Sequence, residues 1–246
     1  MSDSEKKVLE LREIIASSDN IVFFGGAGVS TESGIKDFRS PDGLYSQKFR
    51  FPPEYMLSLD FYRSYPEEFF DFYRSKLIAH GIKPNKGHYA LAELESSGKL
   101  KAVITQNIDN LHQLAGSRKV IELHGSVCRN YCEKCGKFFT LEYICDNEDV
   151  PRCDECGGRI KPDVVLYGEN LNNEILAEAI NYISKADVLI IGGTSLTVYP
   201  AAGLIEYFSG RRLVLINKGS TPLDSEASLV INDSVGMALS RAVQTA

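Results

Sequence analysis

The chain has 246 residues, of which 43% are hydrophobic and 24% charged, and its formal net charge is −6. The length and composition are typical of a globular protein with one large α/β domain, with or without a small insert, and the negative charge argues against broad nucleic-acid binding. No apolar run approaches the roughly 20 residues that span a membrane, and the charged stretch MSDSEKKVLE lacks the apolar centre of a signal peptide, so we expect a cytoplasmic protein.

The first elements along the chain are predicted to be a helix, a strand and a glycine-rich loop. Apolar residues recur with a helical period over residues 4–17, and the run IVFF at 21–24 predicts a buried strand. The sequence GGAG at 25–28 follows directly, as in a loop that binds phosphate after a strand. However, the third glycine of the G-x-G-x-x-G pattern is absent, because Thr31 occupies its place. An NAD-linked dehydrogenase therefore has little support.

The next part of the chain is predicted to be mainly helical. Residues 44–63 are rich in aromatic residues and proline and show no firm period. A capping box formed by Ser64 and Glu67 predicts the start of a helix that Gly81 ends. A second helix is predicted over about 86–97, where a glycine again follows its end.

Short apolar runs then recur to the end of the chain. They are KAVIT at 101–105, KVIEL at 119–123, DVLIIGG at 187–193, RLVLIN at 212–217 and SLVIN at 228–232. The runs are continuous rather than alternating, which is typical of parallel strands buried on both faces. Helical segments near 173–184, 200–209 and 234–244 separate the later runs. This alternation predicts an α/β fold with a Rossmann-like, doubly wound parallel sheet.

Residues 128–160 interrupt the alternation and contain all six cysteines. Two Cys-x-x-Cys pairs, separated by 17 residues, have the spacing of a zinc ribbon: Cys132 with Cys135, and Cys153 with Cys156. Four thiolates complete a tetrahedral zinc shell, so we predict one structural ion without a catalytic role. Four free thiols or two disulfides are the alternative.

The domain organisation follows from this insert. We predict a main Rossmann-like domain formed by residues 1–127 and 161–246, and a small zinc-binding lobe at 128–160 that also includes helices from about 40–85. The insert carries seven acidic and five basic side chains. Because a phosphate-binding surface needs the opposite balance, we expect no direct nucleic-acid binding.

Polar clusters follow five of the predicted strands, and ligands bind at the carboxyl ends of strands in open α/β sheets. Any one cluster alone is usually a turn or a cap, but five at one edge of a sheet predict a binding site. The clusters are residues 25–39, 106–110, 124–125, 192–195 and 217–219.

Taken together, these motifs resemble the sirtuin family of NAD-dependent protein-lysine deacylases, in its bacterial type. The resemblance covers nearly the whole chain and rests on GAGVSTESGIKDFRSPDGLY, TQNIDNLHQLAG, LHG, the two cysteine pairs, GTSL and the dipeptide Ile216-Asn217. It implies an enzyme that transfers the acetyl group of acetyl-lysine in proteins or peptides to ADP-ribose and releases nicotinamide. Two positions depart from the family, which usually has Thr in place of Gly25 and Pro in place of Lys36.

The resemblance also implies which residues do the chemistry. His124 would be the general base for a ribose hydroxyl, for which an imidazole pKa near 6.5 is suitable. Asn107 would hold ribose hydroxyls or a water molecule, and Asp109 would hold the amide of nicotinamide with the backbone of Ile108. The remaining NAD contacts would come from Ala27 to Thr31 at the pyrophosphate, Phe38, Arg39 and Gln106 at the ribose, and Thr194, Ser195, Asn217 and Val235 at the adenosine end.

The same resemblance leaves the exact reaction open. Mono-ADP-ribosyl transfer shares the step that cleaves NAD, and removal of longer or acidic acyl groups is a further alternative. Family members that favour acidic acyl chains share a Tyr-x-x-Arg, and Tyr73 and Lys76 take those places here. Because lysine lacks the planar fork of arginine, we expect a preference for acetyl-lysine. The segment VVLYGE at 164–169 matches the family segment that borders the peptide groove.

Overall fold

The protein is described by a computed structural model that covers residues 2–243. The strands are β1 Ile21–Gly25, β2 Leu100–Thr105, β3 Val120–Glu122, β4 Gly125–Cys132, β5 Phe138–Phe139, β6 Ile160–Val164, β7 Val188–Gly192, β8 Arg212–Ile216 and β9 Leu229–Ile231. The α-helices are α1 Asp3–Ala16, α2 Pro53–Met56, α3 Leu59–Ser64, α4 Pro66–Lys76, α5 Lys86–Ser96, α6 Leu111–Leu114, α7 Leu141–Cys145, α8 Asn173–Lys185 and α9 Val235–Val243. Short 3₁₀ helices occupy Ala27–Val29, Thr31–Ser33, Leu44–Ser46 and Ala201–Tyr207.

Six strands form a parallel sheet in the order β3-β2-β1-β7-β8-β9. The chain winds in one direction from β1 to β3 and in the other from β7 to β9, so the direction reverses between β1 and β7. This is the strand order of the Rossmann fold, in which the ligand crevice lies at the reversal point. The predicted doubly wound parallel sheet is confirmed.

Both faces of this sheet are covered, which explains why its strands are continuously apolar. Phe23 points to a core layer shared with α1, α5 and α9, whereas its neighbour Phe24 points to the layer shared with α8 and the 3₁₀ helix Ala201–Tyr207. Successive side chains of a strand alternate between faces, so every residue of β1 is buried.

A smaller antiparallel sheet, in the order β5-β4-β6, lies beside the main one. It shares an apolar core with helices α2, α3 and α4, whose contribution is mainly aromatic; the rings of Phe69 and Tyr73, for example, stack with centroids 5.8 Å apart. Gly125 begins β4 with φ +77°, and a β-carbon there would collide with the carbonyl of Asp163 on β6. The predicted domain boundaries at 127/128 and 160/161 stay a prediction.

The capping box predicted at Ser64 is wrong. Ser64 is the last residue of α3, and α4 begins at Pro66 after Tyr65, whose side chain makes no cap bond. The proline explains this break, because it keeps the preceding residue out of the helical region, and Tyr65 has φ −133° and ψ 61°. Helix α4 also ends at Lys76 rather than near Gly81.

The other predicted helices are found with small shifts at their ends. Helices α1, α5 and α8 match the predictions, and α9 matches over the part of the chain that the structure describes. The segment predicted near 200–209 is a 3₁₀ helix, Ala201–Tyr207.

Candidate active site and metal centre

The glycine-rich loop lies at the carboxyl ends of the two central strands. The amide of Gly26 donates to the carbonyl of Gly192 at 3.2 Å, and the amide of Gly28 donates to that of Gly193 at 2.8 Å. Gly193 has φ +62°, and a β-carbon there would collide with the backbone of Gly28 and Val29. Two backbones thus cross directly at the point where the sheet reverses direction, which is where a Rossmann fold binds its ligand.

Two 3₁₀ turns continue the loop through Ala27 and Thr31, and Asn85 holds them in place. The Asn85 Nδ2 atom donates to the carbonyl oxygen of Val29 at 2.7 Å and to Ser33 Oγ at 3.0 Å. Its Oδ1 accepts from the amide of Gly87 at 2.9 Å and so caps α5. Asn85 was not among the predicted site residues, although its position directly before a predicted helix marks it as a cap.

Ser30 joins Asn107 to Asp109. The buried Ser30 Oγ donates to Asp109 Oδ2 at 2.6 Å and accepts from Asn107 Nδ2 at 3.0 Å. The other Asp109 oxygen accepts from the amide of Leu111 at 3.0 Å. The structure therefore places two predicted residues in one network through a serine that the sequence analysis did not single out. Charge-assisted bonds of this kind fix the orientation of a carboxylate.

His124 follows β3 and contacts the chain after β2. Its Nδ1 lies 2.9 Å from the carbonyl oxygen of Gln106. Because a carbonyl can only accept, Nδ1 carries the proton and Nε2 keeps a lone pair. Burial lowers the pKa of His124, although the bond to Gln106 acts in the opposite direction. Burial thus favours the neutral imidazole, which is the form that a general base requires.

A series of hydrogen bonds runs from Gln106 to Asn217, the residue that follows β8. Gln106 Nε2 donates to Thr194 Oγ1 at 3.0 Å, and the amide of Thr194 donates to Asn217 Oδ1 at 3.0 Å. The Asn217 Nδ2 atom is buried and has no hydrogen-bond partner among residues 2–243. Since buried donors are normally satisfied, this atom suits an acceptor on a bound ligand.

The remaining predicted NAD residues differ in how their side chains are placed. Ser195 is exposed, with its hydroxyl 2.7 Å from that of Thr197. Val235 lies at the start of α9 with its side chain in the core. The Ile108 side chain packs on the core of the small lobe, and its carbonyl accepts from the amide of Val127 at 3.0 Å.

Phe38 and Arg39 lie on the loop of residues 35–45, here called the ribose loop. The carbonyl of Phe38 accepts from the amide of Tyr45 at 2.8 Å, and the two rings meet edge to face with centroids 5.5 Å apart. The Arg39 guanidinium lies 5.4 Å from the centroid of the Tyr45 ring. Tyr45 thus contacts both predicted ribose residues.

The four predicted zinc ligands come together beside the small sheet. The sulfur atoms of Cys132, Cys135, Cys153 and Cys156 all lie within 4.8 Å of one another, and two of the pairs are 3.4 and 3.7 Å apart. A disulfide needs about 2.05 Å, whereas a tetrahedral ion with Zn–S bonds of about 2.3 Å spaces its sulfurs about 3.8 Å apart. The cluster is suited to one zinc ion. The four thiolates would fill its tetrahedral shell, so no coordination position would stay open for catalysis.

Tyr73 and Lys76, the two residues of α4 considered for acyl selectivity, differ in their exposure to solvent. Tyr73 is fully buried in the core of the small lobe, and its hydroxyl has no partner among the described residues. Lys76 is exposed, with its ammonium 5.8 Å from the centroid of the Phe49 ring.

Comparison with known proteins identifies the family. A model of the Sir2 family matches residues 26–200. The chain belongs to the Sir2 family. Over 236 residues it is 60% identical to the NAD-dependent protein deacetylase of Clostridium acetobutylicum, covering 95% of this chain and 96% of that protein. The sirtuin resemblance is thus confirmed.

Two solved Sir2 structures are also similar. One, with deacetylated p53 peptide and 3′-O-acetyl ADP ribose, has a TM-score of 0.88 and 43% identity, covering 96% of this chain and 98% of that one. Another, with p53 peptide and NAD+, has a TM-score of 0.82 and 44% identity, covering 94% and 95%. Within residues 2–243, no helix of this Sir2-family chain is long and apolar enough to cross a membrane.

Proposed function

We propose that this chain is an NAD-dependent protein deacetylase that transfers the acetyl group of acetyl-lysine to ADP-ribose and releases nicotinamide. The observation that carries the proposal is the position of His124, which lies at the carboxyl ends of the sheet with its Nδ1 bonded to the Gln106 carbonyl and its Nε2 available as a base. The curated Clostridium relative carries the same name, and sirtuin structures contain both the peptide and the acetylated product.

The loop at the strand reversal and the series of hydrogen bonds from Gln106 to Asn217 are suited to NAD. The crossing at Gly28 and Gly193 fixes the glycine-rich loop at the carboxyl ends of β1 and β7, where Ala27 to Thr31 would face the pyrophosphate. The unsatisfied Asn217 Nδ2 is suited to the adenosine end. Thr194, Ser195 and the backbone of Val235 border the same end.

The network around Ser30 explains why Asp109 would act at the nicotinamide. Its carboxylate is oriented by the Ser30 hydroxyl and the Leu111 amide, so it can accept from the amide group of nicotinamide with little reorganisation. Asn107 is held by the same serine and would face the ribose hydroxyls. NAD would supply the ADP-ribosyl group, with the carbonyl oxygen of acetyl-lysine replacing nicotinamide at the anomeric carbon of the ribose.

His124 would act after nicotinamide has left, by taking the proton of a ribose hydroxyl onto Nε2. The Gln106 carbonyl stabilises the Nδ1 proton, which keeps the correct tautomer and supports the positive charge that forms. The zinc ion would hold the small lobe together, with Cys132, Cys135, Cys153 and Cys156 as ligands.

The two chemical steps can be separated by mutation. We expect His124→Ala to lower deacetylation by about a hundredfold to ten-thousandfold, the usual effect of losing a general base. Exchange of labelled nicotinamide into NAD reports only the first step and should fall less. Asp109→Asn should lower exchange itself, because it changes the group that holds the nicotinamide amide.

The control is His80→Ala, since His80 is an exposed residue outside the site. All variants are assayed with acetyl-lysine peptide present. A His124→Ala enzyme that deacetylates at the normal rate would show that His124 is not the base. The domain boundaries, a cytoplasmic location and the absence of nucleic-acid binding stay predictions.

A further inference from the structure

A pair of tyrosine hydroxyls joins the ribose loop to another part of the chain. Tyr45 and Tyr167 are 122 residues apart, and their hydroxyl oxygens lie 2.6 Å from each other. The distance is that of a good hydrogen bond between hydroxyls. Tyr167 belongs to the segment 164–169 that was matched to the border of the peptide groove, but neither tyrosine was given a role and neither hydroxyl takes part in the chemistry proposed above.

The Tyr167 side of this contact is fixed to the small lobe. The amide of Tyr167 donates to the carbonyl of Leu57 at 3.0 Å, and its carbonyl accepts from the amide of Leu59 at 2.9 Å. Two residues earlier, the amide of Val165 donates to the carbonyl of His124 at 3.0 Å. The segment 165–167 therefore runs from the backbone of the proposed base to the small lobe.

The Tyr45 side of the contact controls the position of the ribose loop. Tyr45 holds Phe38 by a backbone hydrogen bond and by ring contact, and it supports the Arg39 guanidinium. Phe38 and Arg39 lie between Asp37 and Ser40, which are joined by the Asp37 Oδ1 bond to the Ser40 amide at 2.8 Å. The position of Tyr45 is therefore coupled by direct contact to the positions of both ribose residues.

We propose that the Tyr45–Tyr167 hydroxyl pair is a positioning device that holds the ribose loop closed against the segment next to the base. The inference rests on the proposed function, because it takes Phe38 and Arg39 as the residues that cover the ribose of NAD. Without the pair, the loop would be closed for a smaller fraction of the time. The apparent affinity for NAD falls in proportion to that fraction.

The test uses Tyr45→Phe, Tyr167→Phe and the double variant, each of which removes hydroxyls and keeps the rings. Binding of NAD, without peptide, is measured by calorimetry. We expect each single variant to weaken NAD binding about two- to tenfold, the range that corresponds to one hydrogen bond. The double variant should be no weaker than the single ones, because both remove the same bond.

Tyr55→Phe is the matched control. Tyr55 and Tyr167 line one surface groove, but the Tyr55 hydroxyl donates to Asp60 Oδ2 at 3.2 Å and makes no hydrogen bond to the ribose loop. It should bind NAD as the wild type does. In all variants the midpoint of thermal unfolding should change little, so that a weaker binding constant reports loop position rather than misfolding.

Unchanged NAD binding in both single variants would overturn the inference, as would losses that add in the double variant. Turnover of acetyl peptide by the wild type is measured separately. A wild type that binds NAD but releases no deacetylated peptide would contradict the proposed function, while the binding constants of the variants would still decide whether the hydroxyl pair holds the loop.

Discussion

Replacement of Asn85 should damage NAD binding and stability by two separable routes. The residue donates to Val29 and Ser33 in the glycine-rich loop and accepts from Gly87 as the cap of α5. In Asn85→Ala all three bonds are lost. In Asn85→Ser the shorter side chain can still cap the helix but cannot reach the loop, so the comparison isolates the two loop bonds.

The magnitudes follow from the contacts. Loss of an N-cap costs about 1 kcal/mol, and each loop bond contributes about 0.5–1.5 kcal/mol, which gives about 2–4 kcal/mol for Asn85→Ala. For a chain of this size, about 1 kcal/mol lowers the midpoint of thermal unfolding by roughly 2–4 °C. Asn85→Ser should recover about 1 kcal/mol of that stability but none of the lost NAD affinity, because the two hydrogen bonds to the glycine-rich loop are still missing.

The assay combines thermal unfolding with the KM for NAD. Asn172→Ala is the control, because Asn172 caps α8 through the amides of Glu174 and Ile175, and its side chain makes no bond to the loop. It should lose about 1 kcal/mol of stability and keep a normal KM for NAD. The reasoning is refuted if Asn85→Ser restores the KM for NAD, or if Asn85→Ala leaves it at the wild-type value.

Three further predictions follow from the metal centre, the acyl-selectivity helix and the base. Metal analysis should find about one zinc ion per chain. The Cys153→Ala variant should lose the ion and unfold at a lower temperature, whereas Cys145→Ala should keep the ion. A stable, active, metal-free protein would contradict this prediction. Matched peptides should show higher kcat/KM for acetyl-lysine than for succinyl-lysine, and a tenfold preference for succinyl-lysine, about 1.4 kcal/mol, would reverse the interpretation of Lys76. The pH profile of kcat/KM should lose activity only below about pH 6.5, because burial lowers the pKa of His124 and the base stays neutral above it; an acid limb above pH 7 would contradict that.

The sheet could be predicted because its strands are buried on both faces. A run such as IVFF is apolar at every position, which indicates a strand covered on both faces. The glycines after it mark the carboxyl end of the strand. The capping box at Ser64 failed for a local reason, since Pro66 forced a break at Tyr65 that the composition alone did not locate. The zinc cluster could be predicted because its four ligands form two Cys-x-x-Cys pairs with the spacing of a zinc ribbon.

The network that supports the site could not be predicted in the same way. Ser30 and Asp109 are 79 residues apart, Asn85 and Val29 are 56 apart, and Tyr45 and Tyr167 are 122 apart. Each pair is brought together by the fold, and serine, asparagine and tyrosine are common enough that none stands out by type. The motifs indicate roles for the reacting groups, whereas the pairing of the residues that hold those groups in place is visible only in the tertiary structure.

The products that this Sir2-family chain forms from NAD and an acetyl-lysine peptide decide which reaction it catalyses. The most direct measurement incubates the purified chain with both and identifies every product by mass spectrometry. Free nicotinamide, deacetylated peptide and acetylated ADP-ribose in equal amounts are the predicted result. Nicotinamide with an ADP-ribosylated protein or peptide, and no deacetylated lysine, would contradict the account and favour mono-ADP-ribosyl transfer.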